Sequence, residues 1–191
     1  MNYFTADTHF SDDRIRRFSF RPHKNVKKMN KKIVKNWNKC VKNDDFVYHL
    51  GDFGNYDIIK SLKGKVILIE GNYEVNDRTK QNKTFETFKK ELIEKGFYDV
   101  VNESGIEILF PNISSESIFL THKPIDCKKK KFNLFGHIHG HSRIKDFGIN
   151  VGVDCFNYNL VTEENIVFLK NAIDNKVFDE NVFCSKNDLK K

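Results

Sequence analysis

The chain has 191 residues, 39% hydrophobic and 31% charged, which is the make-up of one soluble domain with one substantial core. No apolar run approaches the roughly 20 residues a membrane helix needs, and the N-terminus opens on a strand, without a basic-then-apolar leader, so a cytoplasmic protein is expected. Cys40, Cys127, Cys155 and Cys184 lack C-x-x-C spacing, which argues against a disulfide framework or a thiolate zinc site, and the net charge of +7 permits a polyanionic partner but is spread mostly over scattered lysines.

Residues 2–6 read as a buried opening strand that runs into Asp7-Thr8-His9. Residues 11–25 form a loop with a short helical turn, holding Arg14, Arg16, Arg17 and Arg21. A guanidinium fork matches phosphate oxygens, and this loop leaves the presumed site directly. Arg17 and Arg21 are therefore expected as substrate contacts; the competing expectation is salt bridging to Asp12 and Asp13.

Val26, Met29, Ile33, Trp37 and Val41 recur at three- and four-residue steps, which predicts a surface helix over 25–42 with Asn25 as N-cap and Trp37 in the core. A strand follows at 46–50, then a short helix at 55–63 ended by Gly64. The strand at 65–70 is apolar enough to be buried on both faces. Gly71-Asn72-Tyr73-Glu74 reads as a loop. A helix spans 84–95, with Phe85, Phe88, Leu92 and Ile93 inward and Gly96 closing it. Short strands are expected at 97–101, 106–110 and 117–121, the last ending in Thr121-His122.

Lys128 to Lys131 is a basic run, read as a solubilising surface turn, with a phosphate-attracting rim as the alternative. A strand at 132–135 delivers Gly136-His137-Ile138-His139-Gly140-His141, and one near 147–151 leads to Gly152-Val153-Asp154. Thr162 caps a last helix that carries Glu163 and Glu164 in its first turn. Residues 1–175 make one domain, and 176–191 a polar C-terminal tail whose Lys-rich tip frays.

Five apolar segments thus stop at an Asp, Asn or His. In α/β sheets sites lie beyond the carboxyl ends of strands, so five strands in one sheet would gather Asp7, His9, Asp52, Asn72, His122, His137 and His139. Five of the seven histidines fall in these loops. His137 and His139 flank Ile138, and on extended backbone both imidazoles face one side, as do Asp7 and His9. Gly51, Gly71 and Gly136 let the backbone turn against the cluster. Mixed nitrogen and oxygen donors suit Mn²⁺ first, with Fe, Zn, Ni, Co or Mg as alternatives, and not calcium. Seven ligands exceed the needs of one ion. Two ions sharing a carboxylate fit, about 3.5–4 Å apart, with a hydroxide between them that attacks phosphorus in line.

Asp7-x-His9, Gly51-Asp52, Gly71-Asn72, His122 and Gly136-His137-x-His139 together resemble the calcineurin-like metallophosphoesterase superfamily over roughly residues 2–155. Tyr3 to Phe10, Val47 to Phe53 and Asn150 to Asp154 resemble its small bacterial and phage members. The resemblance implies a four-layer α/β/β/α sandwich of two mixed β-sheets flanked by helices, with the site at one sheet edge. It implies that Asp7, His9, Asp52 and His139 hold one metal, that Asp52, Asn72, His122 and His137 hold the other, and that Asp52 bridges. His49 and His141 match no ligand position and are read as groups that orient ligands or lie on the surface.

The family's Gly-Asn-His loop has Tyr73 in place of His, and Ser11-Asp12 replaces a frequent Gly-His. Tyrosine can bind phosphate or donate a proton but is a weaker acid than imidazolium, so esters with good leaving groups, such as aryl esters, are expected substrates. The expected function is metal-dependent hydrolysis of a phosphomonoester or phosphodiester. The rivals are a catalytically weakened scaffold and a nuclease or RNA-end phosphatase acting on nucleic acid.

Overall fold

Side chains of the first strand alternate between two apolar cores, as the two-residue period of a strand dictates. Tyr3 enters one core and Phe4 the other. The computed structural model describes residues 1–175. In chain order its elements are β1 (Asn2–Thr5), α1 (Asp13–Phe18), α2 (Val26–Cys40), β2 (Phe46–His49), β3 (Lys65–Ile69), α3 (Asn72–Lys80), α4 (Phe85–Lys95), β4 (Asp99–Val101), β5 (Ile106–Ile108), β6 (Ile118–Leu120), β7 (Asn133–Phe135), β8 (Ile144–Lys145), β9 (Gly148–Asn150), β10 (Val161–Thr162) and α5 (Glu163–Asp174). The expected tail, 176–191, lies outside the described residues.

The fold is α/β, with two mixed five-stranded sheets and helices. One sheet runs β10-β1-β2-β3-β4 and the other β5-β6-β7-β9-β8. In the first, β1 to β4 are parallel and β10 is an antiparallel edge. In the second, β6, β7 and β9 are parallel between antiparallel β5 and β8. The ligand-bearing strands therefore divide between two sheets and do not share one. A parallel bridge between Ala6 and Gly152 links the ends of β1 and β9.

Tyr3, Val47, Val66 and Leu68 pack with Met29, Ile33 and Trp37 of α2 and Phe88 and Leu92 of α4. Phe4, Tyr48 and Ile69 pack with Leu120, Leu134 and Ile149 of the second sheet, joined by Ile166 and Leu169 of α5. Two helix caps fall where the sequence puts them, Asn25 and Thr162, whose side chains accept from backbone N–H groups in the first turns of α2 and α5, and Thr84, expected inside the helix, is the N-cap of α4. Ile93 departs from expectation. It is 41% exposed, because it sits about 100° round the helix from Leu92 and about 140° from Phe88, the inward pair. The short helix expected at 55–63 is a 3₁₀ helix, Tyr56–Ser61. Strands at 97–101, 106–110 and 117–121 are each shorter than expected, since residues at their ends leave the ladder for turns.

The loop expected at 71–74 is instead the start of α3. No apolar stripe marks this helix, and its buried residue is the acid Glu74. Among the described residues no helix is long and apolar enough to cross a membrane.

Trp37 is fully buried, and its indole Nε1 donates to the Lys63 carbonyl at 2.8 Å. Trp37→Ala should lower stability by about 3–5 kcal/mol in urea unfolding, from the cavity left and the carbonyl stranded. A loss under about 1 kcal/mol would contradict this packing.

Candidate metal centre

Every ligand-type residue stands just past the carboxyl end of a parallel strand. Asp7 and His9 follow β1, Asp52 follows β2, and Asn72 follows β3 as the first residue of α3. His122 follows β6, and His137 and His139 follow β7. Strand pairing continues into these turns: Asp7 N donates to Gly51 O at 3.0 Å and His9 N to Asp52 O at 3.0 Å. Asp7, His9, Asp52, His137 and His139 all have φ between +45° and +72°. Asp and His tolerate this left-handed region better than most residues, yet it costs on the order of 1–3 kcal/mol each. Gly51 (φ +84°) is required twice over: a Cβ there would lie 2.6 Å from both Gly71 Cα and His122 Nδ1.

The side chains form two groups. The donor atoms of Asp7, His9 and His139 lie within 4.8 Å of one another, and so do those of Asp52, His122 and His137. Either group could hold a metal ion. Asp52 faces both, with Oδ2 3.5 Å from His9 Nε2 and Oδ1 3.5 Å from His122 Nε2. Asn72 Oδ1 is 3.0 Å from His122 Nε2, and His137 Nδ1 is 3.2 Å from it. His137 and His139 thus belong to different groups. The extended backbone that would have pointed them to one side is absent, since both residues are left-handed.

Proton positions follow from the partners. Leu50 O can only accept, so His122 Nδ1 donates to it (2.7 Å) and Nε2 faces the cluster. His139 Nδ1 likewise donates to Asp154 Oδ2 at 2.8 Å, turning Nε2 away from Asp154. When His122 is neutral, its Nε2 lone pair meets the oxygens of Asn72 and Asp52 with no proton between them. His9 is fully buried, and neither of its ring nitrogens has a hydrogen-bond partner. Buried polar atoms left unpaired cost about 1–3 kcal/mol, and a cation beside them would remove that penalty. The donor set fits a pair of divalent ions.

Residues outside the ligand set hold it in place. Glu74 is fully buried and accepts from the backbone N–H groups of Asp52 (2.8 Å), Phe53 (2.9 Å) and Gly71 (2.8 Å). It fastens the turn after β2 to the turn after β3. Asp154 pairs with His139 and accepts two hydrogen bonds from Arg21 at 2.8 Å. Arg21 also donates to the carbonyls of Asp7 (2.6 Å) and Thr8 (3.0 Å). His49 is buried behind the site, where its Nε2 donates to Thr8 Oγ1 (2.9 Å), whose hydroxyl donates to Phe53 O.

Enclosure shifts the charges. Burial raises the Asp7 carboxyl to about 6, against the pull of His122 and His139. Burial lowers His9 to about 3. His122 goes the other way, to about 9, because its pairing with Asp52 and the charge of Asp7 outweigh its burial. Burial, then the charge of Asp52, raises Glu74 to about 7.

The expected substrate arginines are not at the site opening. Arg21 is 3% exposed, with its guanidinium taken up by Asp154 and two carbonyls. The Arg17 side chain is 75% exposed and paired with Asp13. Lys128 and Lys131 pair with Glu107, so those two lysines of the basic run are tied down as part of a surface turn. A cavity of ≈ 360 Å³ opens instead over members of both groups, lined by His9, His139, Asp52 and His137, by Tyr73, and by Arg14 and Phe18 of α1. Tyr73 lies edge-on to His9, ring centroids 4.6 Å apart, and its hydroxyl accepts from Arg14. Burial and the nearby Asp12 carboxylate raise the phenol above its ordinary value. His141 is exposed on the rim of the same cavity.

Glu74→Gln exchanges one accepting oxygen for an NH₂ group that cannot serve a backbone N–H. The variant should unfold about 2–4 kcal/mol more easily in urea. An unchanged unfolding midpoint would mean that Glu74 does not hold the two turns together.

No protein-family model matches the chain. Over 185 residues it is 28% identical to the uncharacterized protein MJ1445 of Methanocaldococcus jannaschii, covering 87% of this chain and 89% of that protein. The fold is similar to the crystal structure of the protein of unknown function AQ665 from Aquifex aeolicus. The TM-score is 0.64 at 25% identity, covering 88% of this chain and 98% of that one.

Proposed function

We propose that this protein is a metal-dependent phosphoester hydrolase of the calcineurin-like metallophosphoesterase type, with its two sheets and helices arranged as a four-layer α/β/β/α sandwich. The observation that carries this reading is the placement of Asp52, whose two carboxylate oxygens each stand 3.5 Å from a histidine of a different donor group. Asp7, His9, Asp52 and His139 would hold one divalent ion and Asp52, Asn72, His122 and His137 the other, with Mn²⁺ as the first candidate. Two such ions would supply an activated water and neutralise charge on the phosphate.

The chain's own residues do the remaining work. Glu74, Asp154, Arg21 and the Leu50 carbonyl fix the donors in orientation, as outer partners of metal ligands do. Tyr73 keeps its proton at neutral pH, which suits hydrogen bonding to phosphate rather than proton delivery to a leaving group. Aryl esters should therefore be cleaved about 10²-fold or more faster than alkyl esters of the same phosphate. The setting proposed is cytoplasmic; among the described residues Cys40, Cys127 and Cys155 are free.

The test is metal content together with turnover. After loading with Mn²⁺ and desalting, the protein should retain close to two equivalents and hydrolyse aryl phosphate mono- or diesters. Asp52→Asn should retain less metal and lose on the order of 10³-fold in turnover. An Asp52→Asn variant with the metal content and rate of its parent would refute the assignment.

A further inference from the structure

Of the four arginines in the loop after His9, three are already committed to carboxylates. Arg16 and Arg17 both bind Asp13, and Arg21 binds Asp154. Arg14 alone has no carboxylate partner among the described residues. Its guanidinium rests over the Tyr73 ring, 5.8 Å from the centroid, and donates to the Tyr73 hydroxyl. Four residues on along α1, and so on the same face, comes Phe18. That ring is 68% exposed. Ile15, between them, is buried and anchors the turn. Arg14 and Phe18 both line the ≈ 360 Å³ cavity that holds His9, Asp52 and His139, with Ile138 adding apolar wall.

A lone exposed phenylalanine needs no explanation, but one that shares a cavity with an uncommitted guanidinium and a cluster of metal-type donors does. A cation beside the donors matches a phosphate oxygen that is not itself displaced. An apolar ring one helical turn further out matches a flat apolar group on the ester, because aromatic faces stack. We propose that α1 is the substrate-recognition face of the site: Arg14 binds a non-reacting phosphate oxygen, and Phe18 stacks on a planar aromatic group carried by the ester. The substrate class is an aryl or nucleoside phosphoester. This rests on the phosphoesterase reading above.

Phosphonates separate the two ideas, because their P–C bond is not hydrolysed. Titration calorimetry of the full-length, Mn²⁺-loaded protein should show phenylphosphonate binding about tenfold tighter than methylphosphonate. Phe18→Ala should bring that ratio close to one while leaving methylphosphonate binding unchanged, which also shows that the variant is folded. Arg14→Gln should weaken both ligands about tenfold and keep the ratio. A nucleoside 5′-phosphonate that binds tighter than phenylphosphonate identifies a base as the ring; equal binding identifies a simple aryl group. A parent ratio near one, a ratio that survives Phe18→Ala, or no phosphonate binding at all overturns the proposal. Hydrolysis is read separately. A protein that keeps the ratio but cleaves no ester refutes the hydrolase and leaves the recognition face standing, and one that cleaves esters with a ratio of one does the reverse.

Discussion

A carboxylate removed from water must find donors, and Glu74 finds three on the backbone of two separate turns. The turn after β2 places Asp52, and the turn after β3 places Asn72. The turn after β2 is irregular backbone beyond the strand, and the turn after β3 leads directly into α3, whose third residue is Glu74 itself. The oxygens of Glu74 bind N–H groups of Asp52, Phe53 and Gly71 together, so the two strand ends cannot drift apart. Asp52 is then held where its own carboxylate spans two groups of nitrogen and oxygen donors. Arg21 and Asp154 do the same on the other side, joining the turn after β1 to His139.

The arrangement stores strain where the donors converge. Five ligand-type residues take left-handed backbone, and both ring nitrogens of His9 are buried without partners. Such features persist only where the surroundings over-determine them. Here the surroundings are two apolar cores, one on each face of the first sheet, built from fully buried residues such as Trp37, Phe4, Leu68 and Leu134. Stability made in the cores offsets instability concentrated at the strand ends.

The sequence disclosed the donors and most of the elements, and the reasons are local. Apolar periodicity marks α2 through Met29, Ile33 and Trp37, and capping chemistry marks its start at Asn25. Asp7, Asp52, Asn72 and His122 each announce themselves as a polar residue ending an apolar run. What stayed hidden depends on partners distant in the chain. Helix α3 carries no apolar stripe, and its inward residue is an acid, so hydrophobic spacing cannot find it. Glu74 and Asp154 were visible as acids near ligand loops, but their donors lie up to 133 residues away. The partners of the loop arginines are hidden for the same reason. Four guanidiniums compete for Asp13, Asp154 and the site, and only the fold decides that Arg21 is interior and Arg14 faces the cavity. Local spacing also misled at His137 and His139, where left-handed turns replace the extended backbone that would have aligned them.

The proposed substrate draws on both charge and shape at the site. The donors gather around Asp52, the one arginine of the loop after His9 without a carboxylate partner among the described residues lines the same cavity, and so does an exposed ring four residues on. In the proposed function one aspartate, Asp52, couples two cations. Electron paramagnetic resonance of the Mn²⁺-loaded protein tests it most directly, because two Mn²⁺ ions joined through a shared ligand couple their spins. A shared aspartate predicts the many-line spectrum of a spin-coupled pair, lost in Asp52→Asn. A simple six-line spectrum of isolated Mn²⁺ at full loading would contradict it.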